Sequence, residues 1–246
     1  MSFTDEEVER YARQLVLREI GGPGQQRLKG ARVVLVGMGG LGSPAALYLA
    51  SAGLGALDLI DPDRVDRSNL QRQVIYGEAD IGRPKVEAAA DHLSSINPNV
   101  TIRPRAGALT PDNAREIVAG ADLVLDGTDD FATRFCVNAA CVAARVPLVS
   151  GAIGRWTGQV GVFGAKPCYR CLVREVPPDA ETCAAVGVVG ALAGVVGSMM
   201  ALEAIKLLTG AGEALSGRLL IYDALSAQTR TVRVGADPTC EVCGSS

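Results

Sequence analysis

The glycine-rich turn near the N-terminus constrains the fold more than any other stretch of this chain. It follows residues 32–36, a run that is apolar after its first residue and therefore typical of a strand buried on both faces. A helical pattern comes next, and then a second apolar run that closes on Asp61. This order predicts a βαβ unit whose turn fits G-x-G-x-x-G, with glycines at Gly37, Gly39 and Gly42.

Such a unit is typical of a nucleotide site. Glycines let the backbone approach phosphates, and the start of the helix supplies free N–H groups and the positive end of its dipole. An acid at the end of the second strand, here Asp61, can accept hydrogen bonds from ribose hydroxyls. A tight turn that binds nothing is the alternative. Because strand, glycines, helix and acid are all in register, nucleotide binding is the favoured interpretation, although this stretch does not define the nucleotide.

Composition limits the functions that the chain can have. The 246 residues carry a net charge of −3, which gives no electrostatic reason to expect a nucleic-acid partner. The one histidine, His92, lies in a predicted helix, where a surface position is expected. Serine–histidine hydrolysis and catalysis by a multi-histidine metal site are therefore disfavoured.

Strands and helices alternate as far as residue 150, and this alternation predicts a doubly wound, Rossmann-like α/β fold with a mostly parallel sheet. Three later runs, at residues 158–163, 219–222 and 229–234, look like strands that extend the sheet in antiparallel fashion. We expect a single domain over residues 1–246. Its predicted parts are an N-terminal helical arm, a nucleotide-binding part and a C-terminal part, at residues 1–28, 29–155 and 156–246.

Two helices stand out. Thr4 and Glu7 form a capping box that predicts the start of a helix running to about Glu19. The glycines and proline of residues 21–24 should end it, so we expect this helix to lie apart from the sheet as a movable or partner-facing element.

Residues 182–202 carry no charge and are long enough to span a bilayer. Large and small residues occupy opposite sides of this helix, and this pattern favours burial in a core or a subunit interface. We therefore expect no membrane partner.

Two Cys-x-x-Cys pairs predict a metal centre. Two such pairs can complete a closed tetrahedral shell around Zn²⁺, and a closed shell is typical of structural zinc. Redox dithiols or coincidence are the alternatives, but no thioredoxin-like context surrounds either pair. The predicted zinc ligands, which would join the C-terminus to an earlier segment, are Cys168, Cys171, Cys240 and Cys243.

The other cysteines have different expected roles. Cys136 and Cys141 follow a helical pattern and are expected in the core. Cys183 lies between a charged stretch and the apolar helix, where it would be either a nucleophile or an inert thiol. Residues 1–9 are acidic and polar, unlike a signal peptide, so we expect a cytoplasmic protein whose thiols are reduced or metal-bound.

No G-x-x-x-x-G-K-[ST] motif is present, so the chain is not a P-loop enzyme and its phosphates would need other cations. Arg72 and Lys85 are the candidates, because both follow the second strand in segments that could fold over a nucleotide. Asp129 stands at the end of another predicted strand, at the edge where doubly wound sheets collect their ligands.

Taken together, these motifs resemble the ubiquitin-activating superfamily in its bacterial form, the MoeB/ThiF/HesA group of adenylyltransferases. The resemblance extends from residue 10 to Cys243, and the set of motifs is specific although each motif alone is weak or moderate. It implies ATP and Mg²⁺ as cofactors, with Gly40 and neighbouring amides on the phosphates and Asp61 on the ribose. The remaining implied nucleotide contacts are Asn69, Gln71, Arg72, Lys85, Asp129 and Asp130, with Asp129 also holding Mg²⁺.

The resemblance also implies a reaction and partners, with the zinc-stapled residues 156–246 as the part that binds a carrier protein. The C-terminal Gly-Gly carboxylate of a ubiquitin-like sulfur carrier would attack the α-phosphorus of ATP, giving an acyl-adenylate and pyrophosphate. Arg13 would reach the ATP of the other subunit, so a homodimer with shared sites is expected. Cys183 matches a position where some relatives carry a thioester or acyl-disulfide cysteine, and its role stays open.

Two departures from the family pattern are visible. Asp130 stands where asparagine is frequent, and the chain stops three residues after Cys243, without the rhodanese domain of some relatives. We therefore expect a separate sulfur donor, a cysteine desulfurase or a rhodanese, in molybdopterin, thiamine or related biosynthesis.

Two other functions compete with adenylation. An NAD(P)-dependent oxidoreductase would leave Arg72, Lys85 and the cysteine pairs without a role. A non-enzymatic zinc-stapled binding module would leave the acids and cations without a role.

Overall fold

The described residues, 2–176 and 187–244 of a computed structural model, form an eight-stranded mixed sheet flanked by helices. Its strand order is β3-β2-β1-β4-β5-β6-β7-β8; the first five strands are parallel and the last three pair antiparallel. The predicted Rossmann-like sheet with an antiparallel extension is therefore confirmed. The strands are β1 Arg32–Val36, β2 Ala56–Asp61, β3 Thr101–Ala106, β4 Leu123–Asp126, β5 Leu148–Ile153, β6 Thr157–Phe163, β7 Arg218–Asp223 and β8 Gln228–Arg233.

Helices connect these strands and cover the sheet. Two short 3-10 turns, Arg67–Asn69 and Glu78–Asp80, lie in the long connection between β2 and the next α-helix. The α-helices of the described residues are α1 Asp5–Leu15, α2 Gly21–Gly30, α3 Gly42–Ser51, α4 Lys85–Ile96, α5 Ala114–Val118, α6 Phe131–Ala144, α7 Tyr169–Leu172 and α8 Gly190–Thr209.

The central strands explain where a ligand can bind. Residues of β1 and β4 are almost fully buried, because helices cover both faces of the parallel part of the sheet. From β1 the chain winds outward through β2 to β3 and then returns to place β4 on the other side of β1. The strand order thus reverses between β1 and β4, and in such sheets a crevice opens at the carboxyl ends of the two strands.

The N-terminal segment differs from the sequence prediction. Helix α1 ends at Leu15 rather than near Glu19, and residues 21–24 begin α2 instead of breaking helical structure. Gly21 takes the left-handed conformation (φ +55°) that the turn needs, and a Cβ atom on Gly24 would lie 3.0 Å from Ile20 Cγ2 and 3.5 Å from Thr209 Cβ of α8. Helix α2 packs against α8, and this tertiary contact favours a helix that local propensity disfavours.

Helix α1 is also docked rather than free. The Tyr11 ring is buried, and its hydroxyl accepts a hydrogen bond from Asn97 Nδ2 at 2.9 Å. Lys29 Nζ lies 2.7 Å from Glu7 Oε2, which joins α1 to α2. These contacts correct the expectation of a movable arm, because α1 packs against α2.

Helix α8 buries both large and small residues. Val196 packs where Gly158 of β6 has no side chain, and Gly197 packs against the Leu41 carbonyl on the opposite side. The predicted large and small faces are thus both in contact with the fold, but Val195, assigned to the large face, is 40% exposed. By length and composition alone α8 could cross a membrane, yet 44% of its most apolar window is buried against the protein.

Candidate active site and metal centre

The turn between β1 and α3 keeps its shape because glycines occupy its crowded positions. Gly37 has φ +89°, and a Cβ atom on Gly42 would overlap the carbonyl oxygen of Gly37. A Cβ atom on Gly40 would lie 3.2 Å from that of Ala193, so α8 confines the turn from behind. The backbone of the turn is consequently open toward the carboxyl end of β1, as a phosphate site requires.

Asp61 fixes the first part of this turn. One carboxylate oxygen accepts a hydrogen bond from Met38 N at 2.6 Å, and the other accepts one from Asp63 N at 2.8 Å. Burial raises the pKa of Asp61, although nearby Lys85 and the two backbone donors oppose that effect. On the other side, the Tyr76 hydroxyl donates to the Met38 carbonyl at 2.9 Å. The turn is therefore held from both sides by groups of the protein itself.

Two cations border the same space. The aliphatic part of Arg72 lies next to Gly40, and its guanidinium donates to the Ser68 carbonyl at 3.0 Å. Lys85, the first residue of α4, is only 5% exposed, and its Nζ lies 2.7 Å from Asp63 Oδ2. Both cations thus lie where they could face a polyanion bound at the glycine turn.

An acidic turn follows β4 on the opposite side of the crevice. Asp126 is buried and accepts hydrogen bonds from the backbone N–H and the hydroxyl of Thr128, at 3.0 and 2.6 Å. Asp129 and Asp130 are exposed, and Asp130 caps α6 by accepting from Thr133 N at 2.7 Å. The Asp129 carboxylate is the freer of the two to meet a divalent cation.

These elements enclose one crevice of about 540 Å³. Its volume lies within the range of sites for drug-sized ligands and cofactors. It runs from the glycine turn across the acidic turn to β5, β6 and α7. The predicted site residues that line it are Gly37, Gly39, Gly40, Asp61, Asn69, Arg72, Lys85, Asp129 and Asp130.

Three of the predicted catalytic or nucleotide-contact residues that the structure describes do not line this crevice. Gly42 begins α3 directly behind the turn, and Gln71 is exposed with its carbonyl close to Gly190 at the start of α8. Arg13 instead borders a second, mostly apolar groove of about 420 Å³ formed with residues of α3 and α8. Cys183 lies outside the described residues.

Sequence reasoning missed three residues of the crevice. Gln73 is 3% exposed, and its Oε1 has no hydrogen-bond partner among the described residues. Asp63 pairs with Lys85, and Arg134 is buried beside the acidic turn. Gln73 belongs to the polar segment that drew attention to Arg72 and could have been found. The roles of Asp63 and Arg134 depend on tertiary contacts that no local pattern reveals.

The four predicted zinc ligands come together. All four sulfur atoms lie within 4.8 Å of one another, with Cys168 Sγ 3.7 Å from Cys240 Sγ and Cys171 Sγ 3.4 Å from Cys243 Sγ. A tetrahedral zinc site with Zn–S bonds of about 2.3 Å would place its sulfurs about 3.8 Å apart. The cluster therefore fits Zn²⁺, and a shell of four thiolates would leave no open position for catalysis.

The cysteine cluster joins two distant parts of the chain. Cys168 directly precedes α7 and Cys171 lies within it, after β6 in the chain. Cys240 and Cys243 lie in the segment that follows β8. The Asp237 N–H donates to Cys171 Sγ at 3.4 Å, an interaction that would stabilise a metal-bound thiolate. Away from the cluster, Cys141 is buried on α6, as predicted, whereas Cys136 is only partly buried.

Fold and crevice together define a class: a doubly wound α/β protein that binds a nucleotide at its topological switch point. The ThiF family matches residues 11–242, and the chain belongs to that family. The resemblance found in the sequence is thereby confirmed.

Similar proteins carry consistent names. The molybdopterin-synthase adenylyltransferase of Escherichia coli K12 is 49% identical, with 98% of each chain covered. The sulfur carrier protein adenylyltransferase of Thermus thermophilus is 47% identical over 99% of this chain and 93% of its own. Among solved structures, E. coli MccB with ATP superposes with a TM-score of 0.82 at 25% identity, covering 96% of this chain and 74% of that one. These names favour adenylyl transfer over an oxidoreductase or a non-enzymatic module.

Proposed function

We propose that this chain catalyses ATP-dependent adenylation of the C-terminal Gly-Gly carboxylate of a ubiquitin-like sulfur-carrier protein, releasing pyrophosphate. One observation carries the proposal: a single crevice combines a glycine turn, the cations Arg72 and Lys85, and the acids Asp61 and Asp129. A nicotinamide site would need the turn and Asp61 but would give no task to the two cations or to Asp129.

The chemistry asks mainly for charge neutralisation and alignment. A carboxylate is a weak nucleophile and is repelled by a triphosphate, so positive groups must lower that repulsion and hold the reactants in line. The attacking carboxylate is already ionised near neutral pH, and the reaction needs no general base. A chain with a single histidine is therefore adequate for this reaction.

Each residue of the crevice has a place in this scheme. Amides of the turn around Gly40 would bind phosphate oxygens, Asp61 would bind the ribose, and Asn69, Arg72 and Lys85 would bind the triphosphate. Mg²⁺ held by Asp129 would neutralise phosphate charge when bound. Gln73, whose buried Oε1 lacks a partner in the described residues, is available for a further polar contact with the substrates.

The proposal includes a homodimer. Arg13 borders the groove on α1, α3 and α8 rather than the crevice of its own chain. Exposed Tyr48 and Leu202 also border this groove, and apolar side chains of this size are typical of a protein interface. We propose that a second copy binds at this groove and that Arg13 of each copy reaches the ATP of the other, as the family resemblance implies.

The remaining parts of the proposal concern the biological setting. A separate cysteine desulfurase or rhodanese would supply sulfur to the adenylated carrier, in molybdopterin, thiamine or related biosynthesis. The enzyme would act in the cytoplasm, where thiols remain reduced and available to a metal. Cys183 would act after adenylation if it forms a covalent adduct with the carrier, and mass measurement of the carrier complex tests that role.

ATP–pyrophosphate exchange tests the central reaction. The purified chain should catalyse exchange only when Mg²⁺ and a carrier ending in Gly-Gly are both present. Arg72→Ala and Asp129→Ala should each lower exchange by about 100-fold or more, the loss expected when one charged group that stabilises the transition state is removed. Arg105→Ala and Asp112→Ala, which alter exposed residues away from the crevice, are matched controls.

The contrary result is equally clear. Undiminished exchange in Arg72→Ala and Asp129→Ala would remove the assigned mechanism. Tight binding of NADH without binding of Mg-ATP, measured by equilibrium titration, would replace adenylation by a redox function.

A further inference from the structure

One face of helix α6 connects the acidic turn with the metal centre. Asp130, Arg134 and Asn138 follow one another at intervals of four residues, so they lie in line along the helix. Asp130 caps the helix at the crevice, and Asn138 Oδ1 accepts a hydrogen bond from Tyr169 N, next to Cys168, at 2.7 Å. Arg134 lies between these two contacts.

The guanidinium of Arg134 binds several parts of the crevice at once. It is 5% exposed and donates to the backbone carbonyls of Thr128 and Gly151, the latter at 2.7 Å. A longer hydrogen bond of 3.4 Å reaches Ser150 Oγ. One side chain therefore ties the turn that follows β4 to the neighbouring strand β5.

Nearby acidic side chains balance the positive charge of Arg134. Burial alone would lower its pKa, but Asp126, Tyr169 and Asp129 act more strongly in the opposite direction and keep the guanidinium charged. Asp126 accepts from Thr128 and from Ser150 Oγ at 3.1 Å, so the same turn and strand are joined a second time. Thr128, which directly precedes Asp129, is thus held by two buried groups of opposite charge.

We propose that Arg134 is a positioning residue for the adenylation proposed above: by binding the Thr128 carbonyl and β5 together, it keeps the Asp129 carboxylate at the crevice to receive a divalent cation. Asp129 itself is exposed and lies in a turn, so its position depends on what holds the preceding peptide. A lysine cannot reproduce this function, because an ammonium group is a compact point donor and lacks the planar fork of the guanidinium.

Arg134→Lys is the informative variant, because it keeps the positive charge beside Asp126. Two quantities are measured: the Mg²⁺ concentration for half-maximal ATP–pyrophosphate exchange, and the affinity for Mn²⁺ in the presence of a non-hydrolysable ATP analogue, followed by paramagnetic resonance. We expect the Mg²⁺ concentration for half-maximal exchange to rise by about tenfold and the affinity for Mn²⁺ to weaken by about tenfold. This is the effect of losing one or two charge-assisted hydrogen bonds. Saturating Mg²⁺ should restore most of the exchange rate.

Arg145→Lys is the matched control, since Arg145 is exposed at the other end of the same helix. If Arg134→Lys fails to fold, the double variant Asp126→Asn/Arg134→Gln removes both buried charges and should show the same shift in Mg²⁺ requirement. An unchanged Mg²⁺ requirement and Mn²⁺ affinity in the folded variant would overturn the positioning role. Absence of exchange in the unaltered protein would instead overturn the proposed function, so the two failures are distinct.

Discussion

Lys85 Nζ lies 2.7 Å from Asp63 Oδ2, and this contact connects a buried cation to a carboxylate side chain that is 64% exposed. Asp63 directly follows Asp61 and Pro62 at the end of β2, so the pair spans the mouth of the crevice. The Asp63 carboxylate therefore lies beside Lys85 at a place that a phosphate oxygen could take. In the proposed reaction the triphosphate would compete with Asp63 for the same ammonium group.

Asp63→Asn tests this competition. The nearly buried Lys85 loses its ion-pair partner, so the free protein should melt about 2–4 °C lower, a modest change because Asp63 itself is well exposed. Mg-ATP should raise the melting temperature by more in the variant than in the unaltered protein. Thermal melts with and without Mg-ATP measure both effects, and Asp112→Asn is the exposed control. An equal nucleotide-induced rise in all three proteins would refute the competition.

The glycine turn allows a separation of folding from binding. A Cβ atom on Gly39 would meet Gln73 Nε2 at an ordinary 3.7 Å, so Gly39→Ala should fold with an unchanged melting temperature. Its methyl group would nevertheless enter the crevice, and we expect ATP affinity to fall by about tenfold. Gly42→Ala would overlap the backbone of Gly37 and should not accumulate as folded protein. Calorimetric ATP titration makes the comparison, with Gly30→Ala, which has open space, as the control.

The lowered pKa of Glu7 predicts that the stability of the protein depends on pH. The hydrogen bond from Lys29 and the backbone N–H of Thr4 lower the pKa of Glu7, outweighing the effect of burial. A lowered pKa stabilises the folded state above the ordinary value of 4.5, and that stabilisation is lost as pH falls through the lower, folded-state pKa.

Glu7→Gln should therefore melt about 2–4 °C below the unaltered protein at pH 7, corresponding to roughly 1 kcal/mol for a capping interaction. The difference should shrink as pH falls below about 4.5. Melting curves between pH 7 and pH 3 test the trend, and Glu6→Gln, an exposed change on the same helix, is the control. A difference that stays constant over this range would contradict the linkage.

The metal centre gives a prediction for the C-terminal part. Cys240→Ser should abolish stoichiometric zinc and lower the melting temperature, because a structural zinc site contributes its binding energy to folding. Hydrogen exchange should increase at residues 168–172 and 237–244, the two segments that the cluster joins. Cys136→Ser alters a cysteine outside the cluster and should change neither quantity. If metal analysis finds no zinc in reduced, folded protein, the Cys₄ assignment is wrong.

Local patterns predicted much of the binding region. The apolar strands, the glycine turn and Asp61 are close in sequence, and each has a single stable arrangement once the βαβ unit forms. The Cys-x-x-Cys spacing similarly constrains each half of the metal site within one turn. These features follow from short-range sterics and from residue chemistry, which a sequence displays directly.

The tertiary structure decided what local propensity could not. Residues 21–24 begin a helix that packs against α8, and both the large and the small sides of α8 contact the fold, at Gly158 of the sheet and at the backbone of Leu41. Asp63 and Arg134 gained their partners through contacts between segments far apart in the chain. Sequence alone determined which chemical groups this protein has, whereas long-range packing determined which of them meet, since burial and pairing depend on neighbours that only folding supplies.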